Sequence, residues 1–153
     1  RSEAYGAEAV EALAETLGVV GEQIFKTLVI EVSGGDRPGL AVAVVPVPRK
    51  LSVKAAAAAL GASKAQMAEA KAVTRSTGYV LGGVSPVGQR TALPTVVDSS
   101  ALRYDRILCS AGKRGLEIAL APADLVAITT AATPNWVMVV RPGMVPIASL
   151  AGR

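Results

Sequence analysis

Three short segments of the sequence carry residue types that could do chemistry, and Lys26 is the first of them. It lies in IFKTLVIEV, residues 24–32, and alternate residues of a strand share a face, so it points the same way as apolar neighbours such as Ile24 and Leu28. An ammonium there could bind a phosphate or a developing oxyanion. It could equally guard a sheet edge, or cover apolar surface with its stem while the amine reaches water.

The second segment is TGYVLGGVSPVGQR, residues 77–90. Gly82 and Gly83 would let a ligand approach the backbone closely, and successive N–H groups in such a turn can bind an anion. Pro86 restricts the exit from the turn. The segment is not a phosphate P-loop, because no GK[ST] follows it. On spacing alone, a plain turn and an anion cradle both remain open.

The third segment is CSAGKRG, residues 109–115. A strand end would present Ser110, and the glycine turn after it carries Lys113 and Arg114. These groups could bind a phosphate or form a solvated hairpin turn. Cys109 is expected to be a buried, inert thiol, because the sequence has no histidine to activate it.

Composition excludes several classes of site. Without histidine there is no Ser-His-Asp or Cys-His catalysis and no histidine-containing metal site. The carboxylates are scattered and form no recognisable catalytic pair, and no metal-ligand spacing occurs. Aromatic residues make up only 3% of the chain, which disfavours a stacking platform for bases. The net charge of +4 is compatible with a phosphate-bearing partner.

Helices are predicted from apolar stripes and from residues that begin or end helices. Ser52 is a plausible N-cap and Gly61 a stop signal for the alanine-rich segment. Ser63 and Gln66 stand at capping-box spacing, which indicates another helix start. The predicted helical segments are residues 3–17 between Ser2 and Gly18, residues 51–62, residues 63–70, and residues 121–131 with Pro122 in the first turn.

Strands are predicted where β-branched and apolar residues cluster between turn signals, at residues 24–32, 40–47, 77–81, 94–98, 106–110, 116–120 and 135–141. The first two are apolar on both faces, so both faces should be covered. Strands and helices do not alternate strictly, which favours an α+β fold with a mixed, partly closed sheet. We expect one domain over residues 1–153, no membrane span and, from the single cysteine, a cytoplasmic location.

The order of several motifs resembles the YbaK family, the free-standing relatives of the editing domain inserted in bacterial prolyl-tRNA synthetases. The segments that carry the resemblance span about residues 5–130. They are FKTLVIEV, LAVAVVPV, KAVTRSTGYVLGGVSPVGQR, LPTVVDSSAL and CSAGKRGLEIAL. The resemblance implies a mixed, β-barrel-like domain that hydrolyses mischarged aminoacyl-tRNA without a cofactor or metal. The implied substrates are Cys-tRNA(Pro) first and Ala-tRNA(Pro) next.

The resemblance also implies roles for individual residues. Lys26 matches the essential lysine of the family, Gly82 the loop glycine that faces the aminoacyl ester, and Ser110 the serine near the substrate. We take these three as catalytic. The implied substrate-binding positions are Tyr5, Thr77, Gly83, Ser85, Pro86, Lys113 and Arg114.

Two other functions compete with a trans-acting deacylase that binds aminoacyl-tRNA and prolyl-tRNA synthetase. One is a non-catalytic tRNA- or synthetase-binding module of the same fold, and the other is a small-molecule binding protein. The presence of Lys26 favours an enzyme over the module, because a member without catalysis could have lost it. Salt-dependent tRNA binding would distinguish the deacylase and the binding module from a small-molecule binding protein.

Overall fold

A computed structural model of the chain describes residues 15, 18–35, 38–79, 84–86, 89, 93–110, 112, 117–125, 127, 137–140 and 145–146. The elements are β1 (Phe25–Ser33), β2 (Gly39–Pro46), α1 (Val53–Ala59), β3 (Lys64–Met67), α2 (Ala70–Thr77), β4 (Thr95–Asp98), β5 (Ile107–Ser110), β6 (Glu117–Leu120), β7 (Val137–Val140) and β8 (Val145–Pro146), with short 3-10 helices at Gly21–Gln23 and Ser99–Arg103.

The strands form a six-stranded sheet in the order β3-β1-β2-β4-β7-β8 and a two-stranded sheet of β5 and β6. Pairing is antiparallel between β1 and β2 and parallel between β2, β4 and β7, so the predicted mixed sheet is confirmed. The β-barrel-like closure is wrong. Among the described strands the sheet does not close on itself, and β5 joins β1 through an isolated parallel bridge between Ile24 and Leu108.

Both faces of the central strands are covered, as their apolar sequences predict. β2 alternates between two clusters: Ala41 and Ala43 pack with α1, whereas Val42 and Val44 pack under β5 and the helical residues 122–125. The cluster on the α1 side comprises Ile30, Val32, Ala41, Ala43, Ala56, Ala59, Leu60 and Val96. The cluster on the other side comprises Phe25, Val42, Val44, Val97, Ala101, Ile107, Cys109 and Leu125.

Most predicted strands are confirmed, at β1, β2, β4, β5, β6 and β7. The helix over residues 51–62 is confirmed as α1, and residues 122–125 and 127 are helical within the predicted segment 121–131. The predicted helix 3–17 lies outside the described residues except for Glu15, which is helical. Gly18 has a φ of 68°, and its N–H donates to the Glu15 carbonyl, which fits a helix end there.

Two predicted elements are wrong. Residues 64–67 form β3 rather than a helix start, because the end of β1 offers backbone groups with which they pair, from Ile30 to Ser33. The Gln66 amide donates to the Glu31 carboxylate at 3.2 Å instead of capping a helix. The predicted strand 77–81 is also wrong where it is described, because α2 continues through Thr77 and ends at Gly78, whose φ is 81°. The strand β8 was not predicted.

The N-terminus of α1 gives a first test of the fold. Ser52 Oγ accepts a hydrogen bond from the Ala55 N–H at 3.1 Å, so it satisfies a donor that the helix itself leaves unpaired. We expect Ser52→Ala to lower the free energy of unfolding by about 1 kcal/mol and Ser52→Asp to leave it within a few tenths. Urea denaturation of the three proteins measures this. Equal losses in both variants would contradict the cap.

Candidate functional site

Lys26 does not lie on an edge strand. β1 pairs with β2 from Phe25 to Val32 and with β3 on its other side from Ile30 to Ser33, so it is an inner strand of the sheet. That second side of β1 is divided between two neighbours: Ile24 bridges to β5, and residues 30–33 pair with β3. Among the described strands, residues 25–28 pair with β2 alone. Lys26 therefore lies where β3 and β5 diverge from β1.

The side chain of Lys26 lies between two apolar clusters on its own strand face. Ile24, before it, packs with Val47 and Leu108, and Ile30, after it, packs under α1. The Lys26 ammonium donates a hydrogen bond to the Val47 carbonyl at 3.4 Å. Partial burial lowers the pKa of Lys26 below its ordinary value, because the charged form loses hydration. The site thus holds a partly desolvated cation that a ligand anion would stabilise.

Strand alternation relates Ser110 to Lys26. Ile24 and Leu108 form an isolated parallel bridge, and Lys26 and Ser110 each follow it by two residues. Side chains alternate across a strand, which puts both on the face that Ile24 and Leu108 share. Ile107 and Cys109 point the other way, into the cluster around Phe25. The buried thiol predicted for Cys109 is confirmed.

The turn after β5 holds the Ser110 hydroxyl. Ser110 is only 6% exposed, and its Oγ accepts a hydrogen bond from the Gly112 N–H at 3.4 Å. An oxygen that accepts this bond keeps its own proton to donate. Gly112 has a φ of 103°, which disfavours a side chain. A Cβ built on Gly112 would lie 2.9 Å from Cε1 of Tyr79, so the Tyr79 ring packs directly on this turn.

Thr77 is buried and bonded to its own backbone surroundings. It is 1% exposed, and its hydroxyl donates to the Val73 carbonyl at 2.7 Å and accepts from the Tyr79 N–H at 3.0 Å. These bonds use the hydroxyl at the end of α2. Thr77 thus has a structural role inside the fold, and its predicted substrate-binding role stays a prediction.

Ser85 and Pro86 are also buried, next to Val84, which packs with Val29 and Val73. The Gln89 amide donates to the Ser85 carbonyl at 3.0 Å. This end of the glycine segment is therefore anchored against β1 and α2. The other predicted site residues lie outside the described residues, namely Tyr5, Gly82, Gly83, Lys113 and Arg114.

Tyr79 and Gly112 were not predicted as site residues. Both lie inside motifs singled out in the sequence, but only the fold shows that the two motifs touch. Thr27 was also missed: its Oγ1 is buried without a hydrogen-bond partner. Thr27 lies on the strand face opposite to Lys26, so its side chain does not share a face with Lys26 and Ser110. No sequence signal distinguishes this threonine from an ordinary strand residue.

Among the described residues, no three His, Cys, Asp or Glu side chains are grouped as metal ligands, and no helix is long and apolar enough to cross a membrane. A separate surface cleft of about 310 Å³ lies between α1, β3 and the end of β1. It contains none of the predicted site residues and is lined by Glu31, Ser33, Val53, Lys54, Ala57, Ser63, Lys64, Ala65 and Gln66.

Comparison with known families identifies the family of the chain. Residues 5–128 match the family model described as the aminoacyl-tRNA editing domain, and this match includes Lys26, Ser110 and the segment between them. The chain belongs to the aminoacyl-tRNA editing family. The resemblance predicted from the sequence is confirmed, and with it the class of activity, the editing of aminoacyl-tRNA.

Relatives of this editing domain agree in fold and sequence. The chain is 41% identical over 119 residues, 78% of its length and 71% of the relative's, to EbsC of Enterococcus faecalis, named as a candidate Cys-tRNA(Pro)/Cys-tRNA(Cys) deacylase. A solved candidate trans-editing enzyme for prolyl tRNA synthetase superposes with a TM-score of 0.72 at 27% identity, covering 86% of this chain and 78% of that one. A scaffold protein used for epitope backbone grafting also gives 0.72, at 26% identity, with 86% and 79% covered.

The lowered pKa of Lys26 predicts how its removal affects stability. Below that pKa the ammonium is charged in both states, and the folded state carries the desolvation cost. The folded state binds protons more weakly, so this cost is relieved as pH rises through the lowered pKa toward the ordinary value. We expect Lys26→Met, which keeps the stem without the charge, to be at least as stable as the parent at pH 7.

Urea midpoints at pH 7 and above the lowered pKa would measure this difference. The advantage of Lys26→Met should shrink at the higher pH, because the parent then loses its desolvation cost. A variant that is clearly less stable than the parent at pH 7 would show that the ammonium stabilises the fold.

Proposed function

We propose that this editing domain is a trans-acting deacylase that hydrolyses mischarged tRNA, with Cys-tRNA(Pro) as its first substrate and Ala-tRNA(Pro) as the next. The observation that supports the proposal is the bridge between Ile24 and Leu108, because the partly desolvated Lys26 and the buried Ser110 each follow it by two residues and so share its face. The relative EbsC, named for Cys-tRNA(Pro) and Cys-tRNA(Cys), supports the choice of cysteine.

Lys26 would bind an anionic group of the substrate. The terminal nucleotide of a charged tRNA carries a phosphate, and the ester carbonyl develops negative charge when it is attacked. An ammonium that has already lost hydration interacts with such charge more strongly than one in bulk water. The Val47 carbonyl holds the amine through a long bond of 3.4 Å, which a substrate oxygen could replace. Ser110, whose proton is available, would donate to a second substrate oxygen.

Hydrolysis needs a base, and the chain has no histidine. We assign this role to the neighbouring ribose hydroxyl of the substrate, which acts through a water molecule. The water oxygen bonds to the ester carbonyl carbon as its proton passes to the neighbouring hydroxyl. The bond from that carbon to the esterified ribose oxygen breaks, and this oxygen takes up the proton that the hydroxyl passes on. The products are the free amino acid and uncharged tRNA. The backbone N–H groups of Gly82 and Gly83 are proposed to stabilise the carbonyl oxygen. For a cysteinyl substrate, attack by its own thiol is the alternative cyclising route.

Selection of the tRNA requires more surface than one small domain presents. The solved relative described as a trans-editing enzyme for prolyl tRNA synthetase supports that synthetase as the partner. We therefore propose that prolyl-tRNA synthetase delivers or selects the tRNA, that residues 1–153 act as one editing domain, and that the protein works in the cytoplasm.

Deacylation of Cys-tRNA(Pro) and Ala-tRNA(Pro) tests the proposal. We expect turnover by the parent protein and a loss of about 100-fold or more in Lys26→Ala, because the charge that stabilises the transition state is removed. Lys54→Ala is the matched control, because it removes an exposed lysine of α1. Release of labelled amino acid gives the rates, and the faster substrate identifies the pocket.

The possible results separate the candidate functions. Equal loss in Lys54→Ala and Lys26→Ala would show a general charge effect and remove Lys26 from the site. Binding of tRNA without turnover of either ester, with prolyl-tRNA synthetase present, would favour the non-catalytic binding module instead.

Salt dependence provides an independent prediction. Binding of a polyanion releases counterions, so the tRNA affinity should be micromolar and should fall as salt rises, with a log–log slope of roughly −0.7 to −0.9 for each phosphate contacted. Filter binding or fluorescence anisotropy between low and moderate salt measures this. An affinity that does not change with salt, or no binding at all, would favour the small-molecule function.

A further inference from the structure

We propose that Tyr79 is a positioning residue for Ser110, which it orients through the backbone of Gly112. The inference rests on the proposed deacylase function for its kinetic consequence. Its structural part stands on contacts within the described residues alone. The contact between Tyr79 and Gly112 links the end of α2 to the residues after β5, and thereby to Ser110.

Hydrogen bonds at the end of α2 fix the position of Tyr79. The Thr77 hydroxyl donates to the Val73 carbonyl at 2.7 Å and accepts from the Tyr79 N–H at 3.0 Å. Gly78, between them, has a φ of 81° and its N–H donates to the Thr74 carbonyl at 2.9 Å. These three hydrogen bonds end α2 in a single geometry, so the backbone of Tyr79 leaves the helix in a defined direction.

The Tyr79 ring packs against Gly112. The ring is partly buried against Val29, Val73 and Val84, which restricts its position. A Cβ built on Gly112 would meet Cε1 of this ring at 2.9 Å and Cδ1 at 3.4 Å. The turn can therefore lie against the ring only because residue 112 has no side chain.

A hydrogen bond from Gly112 orients the Ser110 hydroxyl. The Gly112 N–H donates to Ser110 Oγ at 3.4 Å, so the direction of this N–H helps to decide where the Ser110 proton points. A ring that supports the Gly112 backbone thereby supports the hydrogen bond. Without the ring the turn could move toward the vacated volume, and the Ser110 hydroxyl would lose its fixed direction.

Kinetics of Tyr79→Ala and Tyr79→Phe test the effect on the reaction. We expect kcat to fall about 10- to 100-fold in Tyr79→Ala with KM changed little, because a misplaced hydroxyl weakens the transition state more than binding. Tyr79→Phe keeps the ring and should retain kcat within about threefold. A Tyr79→Phe loss as large as that of Tyr79→Ala would assign the effect to the tyrosine hydroxyl and overturn the proposal.

Amide hydrogen exchange of Gly112 tests the same support without any activity. Protection of this amide should fall in Tyr79→Ala and persist in Tyr79→Phe. Tyr104→Ala is the matched control, because it removes another partly buried tyrosine that packs against the cluster around Phe25. It should reduce stability without selectively exposing the Gly112 amide. Equal protection of Gly112 in all variants would overturn the proposal, whereas a parent without turnover would count against the deacylase function only.

A double-mutant cycle isolates the contact. Gly112→Ala places a Cβ against the ring and adds strain at a φ of 103°. In the Tyr79→Ala background the clash disappears, so kcat of Tyr79→Ala/Gly112→Ala should exceed the value expected from independent effects. Additive effects would show that the ring and Gly112 act separately and would contradict the proposed support.

Discussion

The parallel bridge between Ile24 and Leu108 is the contact on which the arrangement of the site depends. It attaches the β5–β6 hairpin to the beginning of β1, while β3 occupies the end of the same strand. The middle of β1 is thereby open on one side. A side chain on that stretch can be desolvated by apolar neighbours and still be reached by a ligand, and Lys26 occupies that position.

Desolvation of the Lys26 ammonium lowers the stability of the fold, and the proposed deacylation requires this desolvation. The pKa of the ammonium is lowered because its hydration is reduced, and the Val47 carbonyl offers only a long hydrogen bond in return. Sites that stabilise charge in a transition state commonly carry such a cost, since the same low hydration strengthens their interaction with substrate charge. A substrate anion would supply a stronger interaction with the ammonium than the Val47 carbonyl does.

Gly78, Gly112 and Thr77 have positional roles around this site. Gly78 and Gly112 take up backbone angles that a side chain would oppose, and Thr77 uses its hydroxyl to end α2. The motif indicates that Thr77 matters but not what its side chain touches. The burial of Thr77, which is 1% exposed, is a property of the packed fold.

Local patterns in the sequence were sufficient for β1, β2, β4, β5, β6, β7 and α1, since β-branched runs and the Ser52 cap act over a few residues. The motif order was sufficient for the family, and so for Lys26 and Ser110 as candidate residues. Only the tertiary structure decided that residues 64–67 pair as a strand, because their partner is the distant end of β1. It alone showed the bridge between Ile24 and Leu108 and the contact of Tyr79 with Gly112, because these contacts join segments that are 84 and 33 residues apart and no local propensity specifies them.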